Sequence, residues 1–151
     1  MPGISKKDLF EFCETFVTDR IARIRKNMVD IQEALTSETK SSAGDKHETG
    51  RAMLQLEREK LGNQLAQAEE MKQVLARVRL QENTEIIGLG SCTITSKGNY
   101  FLAISAGVFT NKDVSVFCIS VGTPIGKLLL GKSIGEVIIF NGEKIEILKI
   151  E

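Results

Sequence analysis

Apolar residues in the first half of the chain recur at alternating steps of four and three positions. The clearest series is Val17, Ile21, Ile24, Met28, Ile31 and Leu35. This spacing has the period of the a and d positions of a coiled coil, and polar side chains fill most of the positions between. Ser5, with Asp8 three positions later, suits a helix start. The pattern therefore predicts a helix that begins at about Ser5 and ends at about Ser37 or Glu38.

Helical spacing resumes after a short polar stretch. The apolar positions of this second series are Leu54, Leu61, Leu65, Ala68, Met71, Leu75 and Val78. Because the connection is short, the second helix must run antiparallel to the first, so that the two apolar stripes bury each other. We therefore expect a coiled-coil hairpin over residues 1–83, a rod roughly 50 Å long with its tip at 39–50. The start of the first helix is more apolar than a narrow coiled-coil stripe requires, because it contains Phe10, Phe12 and Phe16. We expect some of these side chains to pack on the second domain.

From Glu85 onward the apolar period changes to two, which is typical of strands. The predicted strands cover residues 91–96, 100–105, 114–121, 136–140 and 144–150, with a loop over 106–113. Thr123 and Pro124 have the residue types of a helix cap and first turn, and predict a short helix over 125–130. Asn141-Gly142 predicts a tight hairpin turn. Residues 84–151 should therefore form a small α+β domain, which makes the whole chain an α+β protein.

Composition excludes several classes of protein. The chain has 20 basic and 20 acidic residues, so global charge favours neither nucleic acid nor membrane as a partner. No stretch approaches the roughly 20 apolar residues that span a bilayer, and the first residues lack a signal-peptide pattern. We therefore expect a cytoplasmic protein without a membrane partner. Cys13, Cys92 and Cys118 are odd in number and far apart, which favours reduced thiols over a disulfide framework or a zinc site.

Two carboxylates mark the polar stretch between the helices. Asp45 and Glu48 are three positions apart, so within a helical turn they face the same side. Carboxylate oxygens at that separation suit a shared Mg²⁺ ion, but two carboxylates alone do not hold Mg²⁺ tightly, and a partner would have to supply further ligands. The structural alternative is that Asp45 caps the second helix and Glu48 completes a capping box.

Three stretches of the sequence resemble a known family. They are the tip Gly44-Asp45-Lys46-His47-Glu48 and the run TPIGKLLLGKSIGE at 123–136, together with EILKI at 146–150. All three resemble the bacterial transcript cleavage factors GreA and GreB, and the resemblance, with the long helical hairpin, covers nearly the whole chain. It implies an N-terminal antiparallel α-helical coiled-coil hairpin followed by a small FKBP-like C-terminal domain. The family's tip reads GDLSEN, whose two acids correspond to Asp45 and Glu48, whereas its Leu-Ser and Asn are Lys46-His47 and Thr49 here.

The resemblance implies an accessory factor of RNA polymerase and not an enzyme. The C-terminal domain would dock at the rim of the secondary channel. The tip would reach the active site and help bind the second Mg²⁺ there, while the polymerase cleaves backtracked RNA. No cofactor is expected to bind tightly to the factor alone. The catalytic and metal-binding residues implied are Asp45 and Glu48. The residues implied to contact the 3′ end of nascent RNA are Arg20, Arg23, Arg25 and Lys26, and those implied to contact polymerase are Pro124, Ile125, Gly126 and Lys127.

Other functions stay open. One is a regulator that binds the channel without stimulating cleavage, and another is a coiled-coil adaptor, whose long apolar stripes would usually self-associate. A monomer would favour the polymerase functions, and we expect a monomer. A prolyl isomerase is disfavoured, because such enzymes use an aromatic-lined pocket and this chain has no Trp and one Tyr. The basic cluster on the first helix has its own alternative, a solvated helix face, since Asp19 and Asp30 lie close by.

Overall fold

The structure, a computed structural model, describes residues 4–40, 45–80 and 85–151, and for residues 38–40 and 45–47 the backbone alone. The elements in these ranges are α1 (Lys6–Lys40), α2 (Asp45–Ala76), β1 (Cys92–Thr95), β2 (Asn99–Ala103), β3 (Gly107–Asn111), β4 (Val114–Ser120), α3 (Pro124–Leu129), β5 (Val137–Phe140) and β6 (Glu143–Ile150). Two long helices thus precede a small mixed sheet, which confirms the predicted α+β class.

The chain divides into two compact units. We call Val17–Met71 the hairpin unit, and Met1–Phe16 with Lys72–Glu151 the sheet unit. Helix α1 therefore contributes residues to both units. The domain boundary predicted between 83 and 84 falls in residues 81–84, which lie outside the described part of the chain.

Helix α1 begins as the sequence predicts. The backbone N–H of Asp8 donates to Ser5 Oγ at 3.1 Å, and the backbone N–H of Ser5 donates to Asp8 Oδ2 at 3.2 Å. This reciprocal pair is a capping box, which satisfies donors that the first turn leaves unpaired. The helix continues to Lys40, two or three residues beyond the predicted end. The polar residues at that end do not stop it, because nothing from Glu38 to Lys40 breaks a helix.

In the hairpin unit, α1 and α2 bury each other's apolar stripes. Ile24, Leu61 and Ala68 are at most 5% exposed and form one cluster, against which Ile21, Met28, Ile31 and Leu65 pack. Arg51 Nη1 lies 3.4 Å from the carbonyl oxygen of Leu35, and Arg25 Nη2 lies 3.6 Å from Glu69 Oε1. Between the first contact and the second, the position on α1 moves back from 35 to 25, while the position on α2 moves forward from 51 to 69. The helices are therefore antiparallel, as predicted.

The sheet has six strands in the order β3-β4-β2-β1-β6-β5. Only β2 and β4 pair in parallel; the other neighbours are antiparallel. The predicted turn at Asn141-Gly142 is confirmed: both residues have positive φ, and Phe140 pairs with Glu143. This is the backbone that an Asn-Gly hairpin favours.

The predicted loop over 106–113 is wrong, because it contains strand β3. Gly107 pairs with Cys118 and Asn111 with Val114, so Lys112-Asp113 is a two-residue hairpin turn. Lys112 has a φ of 57°, a conformation that turns usually assign to Gly or Asn. The apolar pair Val108-Phe109 was too short to indicate a strand by periodicity. Pairing with β4 stabilises it nonetheless.

The two faces of the sheet are covered differently. On the α3 face, the core consists of Ile87, Leu102, Ile125, Leu129, Ile138, Ile145 and Ile147. On the opposite face, which we call the α1 face, Phe12 of α1 contacts Phe109 of β3 edge to face, with ring centroids 5.3 Å apart. Packing of the early phenylalanines on the second domain is thus confirmed for Phe12. In the described ranges, no helix has the length and apolar character needed to cross a bilayer.

One buried hydroxyl in the sheet lacks a partner. Thr93 is 0% exposed, and its Oγ1 makes no hydrogen bond to the described residues. An unsatisfied buried hydroxyl lowers stability by about 1–3 kcal/mol. Thr95, two positions along the same strand, is the matched case with partners. Its Oγ1 donates to the Gly98 carbonyl at 2.6 Å and accepts from the backbone N–H of Gly98 at 3.1 Å.

We expect Thr93→Val to raise the free energy of unfolding by about 1 kcal/mol, since it removes the unpaired hydroxyl at nearly constant shape. Thr95→Val should lower it by about 1–2 kcal/mol, because the Gly98 N–H and carbonyl then lose a partner. Urea unfolding followed by circular dichroism measures both. A less stable Thr93→Val protein would mean that the hydroxyl has a partner, such as a bound water.

Candidate functional site

The predicted tip lies at the start of α2. This helix begins at Asp45, so positions 45 and 48 fall within its first turn, as the resemblance requires. Glu48 is exposed. Residues 41–44, and the side chains of 45–47, lie outside the described part of the chain, so the distance between the two carboxylates stays a prediction. Gly50 does not interrupt the helix, although Gly in a helix interior costs about 1 kcal/mol relative to Ala.

The four predicted RNA contacts are not equivalent in the structure. Arg20, Arg23 and Lys26 are spaced three apart and lie along one side of α1. Arg25 instead pairs with Glu69 of α2 at 3.6 Å, with both side chains about half exposed or more. An exposed ion pair of this kind contributes only about 0–1 kcal/mol. Arg25 is thus partly neutralised in the free protein, whereas Arg23 and Lys26 are exposed on α1.

The four predicted polymerase contacts lie on α3, the short helix that follows β4. Thr123 caps it: its Oγ1 accepts from the backbone N–H of Gly126 at 3.1 Å and donates to the Ser120 carbonyl at 2.7 Å. Pro124 occupies the first turn, where its missing N–H costs nothing. The predicted cap and Pro positions are confirmed, and the helix begins one residue earlier than predicted.

Two of these four residues are buried. Ile125 belongs to the core on the α3 face, and Gly126 lies against the end of β4. A Cβ atom at position 126 would overlap the Ser120 carbonyl oxygen and approach Val121 Cα to 3.1 Å. Only Pro124 and Lys127 are exposed to a partner. Ile125 and Gly126 therefore serve the packing of α3, which holds the exposed pair in place.

The sequence reasoning missed a set of exposed apolar residues beyond α3. Among the large apolar side chains there that are 45–63% exposed are Leu130, Ile134, Val137 and Ile139. Val137 and Ile139 lie on the α1 face of the edge strand β5, opposite Glu146 and Lys144 of β6. The signal was present in the run Val137-Ile138-Ile139-Phe140, which is apolar on both faces of a strand that the structure covers on only one.

The residues available for a metal ion are few. Among the described residues, no group of three or more His, Cys, Asp or Glu side chains could hold a metal. The side chains of Asp45 and His47 lie outside the described residues. Glu48, an exposed carboxylate one helical turn after another acid, fits the oxygen ligands that Mg²⁺ prefers, but two such ligands leave most of its octahedral shell to other groups.

The close approach at Gly126 gives a test of how α3 is held. Gly126→Ala should lower the free energy of unfolding by roughly 1–3 kcal/mol, since backbone atoms must shift to admit the methyl group. Gly62→Ala is the matched helical control, because a Cβ there has nothing within 4 Å. It should raise stability by up to about 1 kcal/mol through helix propensity. Urea unfolding measures the free energy of both variants, and a Gly126→Ala protein as stable as the wild type would contradict the close packing at this position.

Comparison with protein-family models gives no match, and comparison with curated proteins gives none either. Among solved structures, one that the chain resembles is that of the transcription factor Gfh1. The two are 20% identical, and the alignment covers 89% of this chain and 90% of that chain with a TM-score of 0.35. A likeness this distant fixes neither a family nor an activity.

Proposed function

We propose that this protein is a Gre-like transcription elongation factor that binds RNA polymerase through its secondary channel and stimulates cleavage of backtracked RNA. One observation carries the proposal. Helix α2 begins at Asp45, so the two acids that match the family's active pair occupy one helical turn at the closed end of an antiparallel helix pair, and Glu48 is exposed.

The tip acids would act in trans. Asp45 and Glu48 would hold a Mg²⁺ ion jointly with polymerase carboxylates, and the ion would supply charge stabilisation for phosphodiester hydrolysis. The acids' own contribution is to add negative oxygen ligands and to accept hydrogen bonds from an attacking water, which orients it. The protein is thus an activator and not itself an enzyme.

The remaining predicted residues would position the tip. Arg20, Arg23 and Lys26 on one side of α1 suit the phosphates of the extruded RNA 3′ end, because such contacts are electrostatic and independent of sequence. Arg25 would have to exchange Glu69 for RNA. Pro124 and Lys127 on α3 would contact polymerase at the channel rim. In this proposal the factor acts as a cytoplasmic monomer.

A second function is favoured by the tip sequence itself. Lys46-His47 stands between the acids where the family has Leu-Ser, and a Lys beside two carboxylates lowers their net negative charge. Such a tip would enter the channel yet recruit Mg²⁺ poorly. The protein would then be a channel-binding regulator without cleavage activity.

The decisive experiment uses backtracked elongation complexes of the cognate RNA polymerase with 5′-labelled RNA. We expect the wild-type protein to shorten the transcript from its 3′ end. The Asp45→Ala, Glu48→Ala double variant should reduce that rate by roughly 100-fold or more, since groups that organise transition-state charge contribute on that scale. Glu59→Ala is the matched control, because Glu59 is an exposed acid of α2 outside the tip, and it should cleave as wild type does.

Polymerase binding is measured separately, by fluorescence anisotropy of a labelled factor. The double variant should bind within about threefold of wild type, because its rim contacts are unchanged. Wild-type protein that binds but yields no shortened RNA at any Mg²⁺ concentration would establish the regulator in place of the cleavage factor. Wild-type protein that does not bind polymerase would overturn both, and self-association by light scattering would then indicate an adaptor.

A further inference from the structure

All three cysteines of the chain are buried in the sheet unit, where each is at most 2% exposed and none forms a disulfide. Two of them lie in one row of the sheet. Cys92 of β1 pairs with Phe101 of β2, and Phe101 pairs with Cys118 of β4. Paired residues point to the same face, so both thiols lie on the α1 face, with Phe101 between them in the row.

Helix α1 brings the third thiol to this row. Phe12 contacts Phe109 of β3, and Phe109 pairs with Val116, two residues before Cys118 on the same face of β4. Cys13 follows Phe12 and is 0% exposed. Its sulfur is hydrogen-bonded to the Cys118 thiol, which makes these two a contacting pair from distant parts of the chain. Cys92 is two strands away from Cys118, on the other side of β2.

The two contacting thiols differ in acidity. The hydrogen bond from Cys118 lowers the pKa of Cys13 below its ordinary value, against the opposing effect of burial, and the backbone N–H of Ile104 acts in the same direction. The same hydrogen bond, together with burial, raises the pKa of Cys118. Burial and the nearby Glu151 raise the pKa of Cys92 to about 12. Of the three, Cys13 is therefore the thiol most readily converted to a thiolate, which is the reactive form.

We propose that Cys13 and Cys118 are an oxidation-sensitive dithiol that closes to a disulfide on exposure to hydrogen peroxide, with Cys13 as the attacking sulfur and Cys118 as the resolving one. The inference is independent of the proposed function, because it concerns the base of α1 and the sheet and not the tip. It assigns a covalent modification site to a pair of residues that the polymerase functions leave unused.

The reaction balances with hydrogen peroxide as the only oxidant. The Cys13 thiolate attacks one peroxide oxygen, the O–O bond breaks, and the hydroxide released takes up the thiol proton to form water. The Cys13 sulfenic acid is then attacked by the Cys118 sulfur; the S–O bond breaks, the S–S bond forms, and the leaving hydroxide takes the Cys118 proton. Two thiols thus lose two electrons and two protons, and one peroxide becomes two waters.

Burial sets the conditions of the reaction. Peroxide reaches the pair only when the first turns of α1 open from the sheet, so the rate should level off at high peroxide, where opening becomes limiting. Once formed, the bond closes a long loop and restricts the unfolded chain. The oxidised protein should therefore unfold at a higher temperature than the reduced protein, by roughly 10 °C.

The test treats folded wild-type protein with hydrogen peroxide, removes the peroxide with catalase, and alkylates the remaining thiols in denaturant. We expect two of the three thiols to be lost, one alkylated Cys92 to remain, and peptide mapping to give a Cys13–Cys118 cross-link. Dithiothreitol should restore all three thiols. Cys92→Ala is the matched control and should form the same cross-link.

Cys13→Ala and Cys118→Ala should form no intramolecular disulfide, and circular dichroism checks that each is folded. The wild-type and Cys92→Ala results decide the proposal even where one of these variants does not fold. A cross-link that includes Cys92 would overturn it, as would Cys13 carrying two or three oxygens without a bridge. Three intact thiols, at exposures that oxidise glutathione in the same tube, would overturn it too.

Discussion

Mutual burial of two narrow apolar stripes is the constraint on which the rest of the structure depends. Neither α1 nor α2 would be a stable helix alone in water, because helical propensity by itself stabilises such segments only marginally. Pairing Ile24 with Leu61 and Ala68 removes these side chains almost completely from water. Each large apolar side chain buried in this way contributes about 1.5–3 kcal/mol, so the stripes stabilise the pairing, while the short connection makes it antiparallel. Pairing of the two helices is therefore what places the polar stretch between them at the end of the helix pair.

The sheet unit rests on a second constraint, the close approach of α3 to the end of β4. Thr123 links the two by accepting from Gly126 and donating to Ser120, and Gly126 admits the approach because it has no Cβ. With α3 in place, Ile125 and Leu129 complete the core on that face. The start of the run that resembles the Gre family therefore serves packing to a large extent, and of the four residues predicted to contact polymerase only Pro124 and Lys127 are exposed.

Much of the fold could be predicted because its signals are local. The heptad spacing, the Ser5 cap, the Thr123-Pro124 helix start and the Asn141-Gly142 turn each follow from a few adjacent residues. Strand β3 could not be predicted this way, since Val108-Phe109 is too short for a period and its stability comes from pairing with β4. The clustering of the cysteines could not be predicted from the sequence either, because it depends on which strands are neighbours in the sheet. Cys92 and Cys118 share a row only in the order β4-β2-β1.

At the tip, the sequence alone does not distinguish helix capping from metal binding. An acid at the start of a helix and another three residues later stabilise that helix whether or not they bind a metal, so capping and catalysis predict the same residues at the same positions. What separates the two is the residues between. A capping box does not depend on Lys46 or His47, because it uses only the side chains of the first and last of the four residues. A metal site is sensitive to both, because a cation beside the acids competes with Mg²⁺ for them. Metal binding by such an acid pair would therefore depend on electrostatics within one helical turn, and not on the fold that presents it.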